Sequence, residues 1–344
     1  MFSLVLVLAP VLQGPAAQAE TLWSAGRRIE SIERLAVAVA ATPGDRFLRR
    51  RLVEREMTVH RYASALEHMA GLGRDVRSQR ALALHGMGRF AEAVEFLDTL
   101  DPDQLLLLVA TLDRLGRHGS SDRWLERAGS LIGLDDSRVQ VLDARRLARL
   151  GRYADVVPIV AQVLAADPYD AEALFLHGQA LARTGAREAG LAALERHRAL
   201  TPLLDDLDFA ERGVDLAPRH APNHARVADV ERAIGRLGRA EVAYARALEL
   251  AEPDEVVPIA LRAARLFDED RNDLARALRT LDEAAERAPD ARLFVRKGDL
   301  LVTAGQQHEA LDAFEAAARL RPNDAEVTER LEVCRAAIAV EDGR

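Results

Sequence analysis

Apolar residues in this chain recur at helical spacing and are punctuated at regular intervals. Between Ala171 and Pro202 they include Leu174, Leu181, Leu191, Leu194 and Leu200, at helical spacing on either side of Gly185. Such stretches end at glycine or an equivalent turn residue: Gly26, His60, Gly88, Gly116, Gly151, Gly185, Gly238, Asn272 and Gly305. Several of the steps between them are 33 to 35 residues. Proline supplies a second mark, because Pro43, Pro168, Pro202, Pro289 and Pro322 each follow a turn residue by 17 positions. Glycine gives the tight or left-handed backbone that ends one helix, and proline cannot continue the next. The pattern predicts about seven to eight antiparallel helix pairs. Each pair is amphipathic and buries its apolar face only by stacking on its neighbours, as in an all-α solenoid.

Composition agrees. The 344 residues are 49% hydrophobic and 30% charged, enough to build a substantial core, and only 4% aromatic, which argues against strands. The chain is rich in alanine, arginine and glutamate, and small side chains let helix backbones approach closely. Forty-seven basic against fifty-five acidic residues leave a net charge of -8, which argues against sequence-independent nucleic-acid binding. The single cysteine, Cys334, excludes an intramolecular disulfide and a four-cysteine zinc site.

The period and its residues resemble the tetratricopeptide repeat family, whose pattern is W-x2-L-G-x2-Y, then A-x3-F, then P. In the unit Ala291 to Pro322, Phe294 takes the Trp place, Gly298 the small first-helix place and Leu301 the Tyr place, followed by Ala310, Phe314 and Pro322. The unit ending at Pro202 matches with Leu174, Gly178, Leu181, Gly190 and Leu194, whereas Val156 and Val160 replace the Ala and Phe of the unit ending at Pro168. The resemblance spans roughly residues 22 to 322. It implies a right-handed superhelix whose first helices line a concave groove that binds a protein or peptide. On those helices arginine recurs near the turns, at Arg114, Arg145, Arg149, Arg183, Arg232 and Arg236. Guanidinium groups grip carboxylates in pairs of hydrogen bonds, so an acidic partner segment is expected; the competing account is that each cation offsets a helix dipole. The lysine and asparagine carboxylate clamp of the family is missing, since Lys297 is the only lysine and Asn223 the only asparagine on a first helix.

Two departures from the period shape the expected organisation. The step from Gly88 to Gly116 is six residues short, which clips the helix around Ala91 to Leu100. The step from Gly185 to Gly238 is 53 residues, placing an extra short helix at about Leu203 to Leu216 and an expected kink there. The expected domains are a signal peptide over 1–19, a first subarray over 20–202, an inserted helix and linker over 203–221, a second subarray over 222–322, and a capping helix and tail over 323–344. The signal-peptide reading comes from the apolar stretch Met1 to Leu12 and the small residues before Glu20, although no basic residue precedes Arg27. Export to the periplasm or beyond is expected from it, or a cytoplasmic location if that segment is no signal.

No motif of acyl, phosphoryl or hydride transfer or of a zinc protease occurs, so neither enzyme activity nor a cofactor is expected. His220 and His224 are four apart, but Pro222 interrupts the helix between them; Asp205, Asp206 and Asp208 lack the glycine and closing glutamate of a calcium loop. Neither predicts a metal, and the aspartates are expected at a solvated helix N-terminus. The expected function is a non-catalytic scaffold that binds a partner segment in its groove. The alternatives are a structural protein that assembles with copies of itself and an accessory subunit of an envelope biosynthesis or secretion complex.

Overall fold

Left-handed backbone marks the turns. In the computed structural model, which describes residues 14–342, φ is positive at Gly26, Gly88, Gly116, Gly151, Gly185 and Gly305, and also at the two non-glycine turn residues, His60 (59°) and Asn272 (51°). Most of these turns share one hydrogen-bond pattern. At Gly151 the glycine N–H donates to Ala148 O and the next N–H, of Arg152, donates to Leu147 O at 2.9 Å. The same pair of bonds closes the turns at Gly26, His60, Gly88, Gly116 and Gly305. This is a Schellman closure, which satisfies the last carbonyls of a helix while reversing the chain. One assignment is corrected: the left-handed residue of the seventh turn is Gly235 (φ 98°), and Gly238 lies inside the following helix.

Nineteen α-helices and no strand occur among the described residues. They form nine pairs and a final single helix: α1 Pro15–Ser24 with α2 Arg28–Ala41, α3 Arg46–Thr58 with α4 Tyr62–His68, and α5 Arg77–Gly86 with α6 Phe90–Ala93. Next come α7 Pro102–Arg114 with α8 His118–Ile132, α9 Ser137–Arg149 with α10 Tyr153–Ala166, and α11 Ala171–Arg183 with α12 Arg187–Leu216. The remainder are α13 Ala221–Ile234 with α14 Leu237–Leu250, α15 Pro253–Arg265 with α16 Leu274–Arg287, α17 Ala291–Thr303 with α18 Gln307–Leu320, and α19 Ala325–Asp342. The helix clipped by the short period, α6, is a single turn. Aspartates start many first helices: Asp45, Asp101, Asp136, Asp170 and Asp290 each accept a hydrogen bond from a first-turn N–H. Asp45, Asp170 and Asp324 stand two residues after Pro43, Pro168 and Pro322, so helix stop and helix start are encoded side by side.

Pro202 departs from this rule. It lies inside α12, a continuous 30-residue helix, so the separate inserted helix expected after it does not exist. Pro158 and Pro258 are likewise accommodated inside helices. Burial of Leu200, Leu207 and Ala210 along α12 holds the chain helical across the missing N–H. Asp205, Asp206 and Asp208 are thereby mid-helix rather than at an N-terminus, with Asp208 paired to Arg212 at 2.6 Å.

The chain divides into two compact units, Met1–Asp205 and Asp206–Arg344. In the first, Val141, Ala144, Leu147, Val156, Val160, Val163, Ala173, Leu176 and Ala180 form one continuous core through the three successive helices α9, α10 and α11. Val156 and Val160 are fully buried and so fill the places where the family has Ala and Phe. In the second unit a larger core surrounds Tyr244 and Leu281 with alanines 221, 225, 228, 240, 247, 260, 263, 264 and 277. Small side chains at these crossings allow interior packing density without aromatic bulk. Cys334 of α19 is buried against Leu301, Ala310, Ala313 and Phe314, and burial pushes its thiol pKa up. The signal-peptide expectation falls largely on residues 1–13, outside the described residues; Pro15–Ser24 are helical and Ala19 is buried. The last two residues of the expected tail, 343–344, also lie outside them.

Candidate functional site

First helices pack on first helices: α7 on α9 and α9 on α11 in the first unit, α13 on α15 and α15 on α17 in the second. In the first unit this surface holds a depression of about 380 Å³. Leu106 and Val141 form its floor, and the half-buried Leu107, Ala110 and Leu142 its walls. Its charged rim comprises Asp103, Arg138, Arg145, Asp170 and Glu172. Three consecutive pairs therefore build one apolar concavity, each supplying one side of its first helix. In the second unit a depression of about 500 Å³ lies between α17 and α19 and is lined by Val302, Phe314, Val333 and Cys334, with Glu329 and Arg330 beside them.

The rim arginines of the first depression are already engaged. Arg138 donates to Asp136 and to Asp103, the latter at 2.6 Å, and the two carboxylates raise its pKa further, fixing its charge. Arg145 donates from Nε to Glu172 at 2.6 Å and stands 3.9 Å from Asp113. Arg149 bridges Asp113 and Asp122, the latter at 2.5 Å, so Arg145 and Arg149 share one aspartate. In the second unit Arg232 joins Glu269, at 2.8 Å, and Asp270, across the first helices α13 and α15 and the π-turn Leu266–Asp270 that follows α15. Arg236 follows the turn glycine instead of preceding it, caps the start of α14, and lies 4.0 Å from the buried Glu231.

Arg114 and Arg183 are different. Each is exposed at the end of a first helix and lies over an aromatic ring at the start of the preceding pair's second helix: Arg114 over Phe90 at 4.8 Å, Arg183 over Tyr153 at 5.7 Å. The rule is positional. An arginine two residues before a turn meets an aromatic residue two residues after the preceding turn, and where His118 takes the aromatic place, Arg149 and His118 meet at Asp113. Reading the arginines alone overlooks this, although both positions are visible in the sequence once the turns are aligned. Burial, then the Arg114 guanidinium, lowers the pKa of His85, whose ring packs edge-on against Phe90 at 4.9 Å. Stacking immobilises a guanidinium through its face and leaves its N–H edge free for a carboxylate.

His224 Nε2 lies 2.9 Å from Pro218 O, and no group of three metal-ligating side chains occurs among the described residues. Asn223 donates to Gly213 O at 2.6 Å and so is held within its own unit. No helix among the described residues is long and apolar enough to cross a membrane.

A tetratricopeptide repeat family model matches residues 291–324, the unit in which Gly298 and Phe314 take the family's small and aromatic places. No curated protein matches the chain. Solved structures similar to it include MamA, at 17% identity over 56% of this chain and 96% of that one with a TM-score of 0.31. The tetratricopeptide repeat domain of P58(IPK) is 16% identical over 96% and 99% of the two chains, with a TM-score of 0.30. A thermophilic tetratricopeptide repeat protein of Thermus thermophilus is 24% identical over 59% and 100%, with a TM-score of 0.25. Residues 291–324 thus match a tetratricopeptide repeat, and the same turn closure recurs along the all-α array. Repeats of this family generally act as non-catalytic scaffolds for protein interaction.

Proposed function

We propose that the chain is a non-catalytic adaptor that captures an extended or helical partner segment on the first-helix surface of its first unit. The observation that carries this reading is the depression over α7, α9 and α11, an apolar concavity formed jointly by three successive pairs. A preformed surface of this kind loses little entropy on binding and presents a narrow apolar anchor site with polar edges. Because Arg138, Arg145 and Arg149 are neutralised internally, they serve the scaffold, and the cations left to meet a partner's carboxylates are Arg114 and Arg183. The partner segment would therefore carry an apolar side chain flanked by acidic residues.

Export remains the reading of the N-terminal apolar stretch, and it places the partner in the envelope. The test is affinity capture from envelope extract with the full chain, comparing wild type with Ala110→Arg, which fills the depression, and with Arg183→Glu. A protein held by wild type and lost by both variants, whose helical circular dichroism matches wild type, supports the adaptor reading. Identical captures on all three exclude this surface.

A further inference from the structure

The clipped third pair creates a second concentration of charge that the groove does not use. Around the turn at residues 70–77, Arg46, Arg49, Arg50, Arg74, Arg77 and Arg80 come together in a protein of net charge -8. Most are tied to backbone carbonyls, which cancel no charge. Arg46 donates to Leu72 O at 2.7 Å, Arg49 to Ala70 O at 3.1 Å and Arg80 to Met69 O at 3.1 Å. Arg77 donates to Glu95 O and Phe96 O, carbonyls that a full-length α6 would have kept within the helix. The carboxylate paired with the cluster is Asp75, 2.6 Å from Arg50 and 3.7 Å from Arg46.

Arg74, Arg77, Arg80, Gly73 and Phe96 surround a pocket of about 270 Å³. The Arg80 guanidinium lies 5.4 Å from the centre of the Phe96 ring, and the exposed Arg74 side chain makes no hydrogen bond or ion pair among the described residues. The pocket thus holds one uncommitted guanidinium, two others with fixed orientation and spare N–H groups, and an aromatic wall.

We propose that this pocket is a docking site for an acidic protein segment, separate from the first-helix depression and independent of its function. Carboxylate chemistry is favoured because the cluster already binds one carboxylate, Asp75, through two guanidinium groups. The Phe96 ring offers contact to the stems of glutamate side chains. Carbonyl-tethered arginines are pre-oriented, so an arriving carboxylate orders few side chains.

The experiment uses the full chain and a fluorescein-labelled octaglutamate peptide, with octalysine as control, read by fluorescence anisotropy at low ionic strength. Octaglutamate binds, octalysine does not, and added salt weakens the complex. Arg74→Glu weakens octaglutamate binding by tenfold or more with an unchanged thermal melt, since Arg74 holds nothing in the fold. Phe96→Leu weakens it less. Equal affinity for wild type and Arg74→Glu overturns the proposal, as does absence of binding. Binding to phosphatidylglycerol vesicles without binding to the peptide overturns it in favour of a membrane surface. A dimer that Arg74→Glu dissociates, with no peptide binding, overturns it in favour of a second copy. Ala110→Arg leaves octaglutamate binding unchanged, which separates this site from the adaptor surface.

Discussion

A Cβ atom placed on Gly298 would stand 2.5 Å from the Phe314 ring, so the close approach of α17 and α18 depends on that glycine. The ring is 2% exposed and also packs against Cys334, so it has no free direction in which to move. Gly298→Ala should destabilise the second unit by about 1–2 kcal/mol, overpacking outweighing the better helix propensity of alanine. Urea midpoints measure it, and Phe314→Leu in the same chain should make Gly298→Ala less costly.

Asn272 turns the eighth pair at φ 51° without being glycine. An alanine there carries a Cβ penalty on the order of 1 kcal/mol with no polar side chain to compensate, whereas glycine adopts the conformation freely. Asn272→Ala should lower the melting temperature, and Asn272→Gly should leave it near wild type.

The groove arginines divide into two kinds. The Arg149 side chain is 23% exposed and holds two carboxylates from the preceding pair. Arg149→Glu should cost about 2–4 kcal/mol, because it removes charge-assisted bonds and sets three carboxylates together. Arg183→Glu, at an exposed stacked position, should cost well under half of that. Loss of partner capture in an Arg149 variant would therefore report on the fold, and in an Arg183 variant on recognition.

Burial lowers the pKa of His177, and burial with Arg114 lowers that of His85, from an ordinary 6.5. When the folded state has the lower pKa, the unfolded chain binds more protons as the pH drops below about 6.5. Stability is then full above that pH and declines on acidification through the folded-state values. Chemical denaturation at pH 7.5 and 5.5 should show the first unit weakening. His177→Gln should flatten the decline, and Arg114→Gln should do so in part through His85.

Much of this architecture was legible in residues whose backbone demands are local. Gly26, Gly88, Gly116, Gly151, Gly185 and Gly305 mark turns because left-handed backbone suits glycine, and His60 and Asn272 betray themselves by their place in the period. Gly298 and Phe314 were readable singly, as the small and aromatic places of the repeat pattern, and their contact was not. Pro202 misled because a local prohibition lost to tertiary burial of Leu200, Leu207 and Ala210. Gly238 misled because Gly235 lies three residues earlier in the same segment. The arginines were visible as a series, but their partners Asp113, Asp122, Glu172, Glu269 and Asp270 lie 27 to 38 positions away, beyond any single-helix pattern. The cluster around Arg74 was invisible for a related reason: it is assembled by the turn at 70–77 and by the helix that the short period removes.

Site-specific photo-crosslinking shows whether a partner sits in the depression over α7, α9 and α11. A benzoylphenylalanine at position 110, in the wall of the depression, is compared with one at position 161, exposed on the second helix α10. The adaptor reading predicts a discrete partner adduct from position 110 and none from position 161. Adducts from position 161 alone, or none from either position in extract that supports capture, would contradict it.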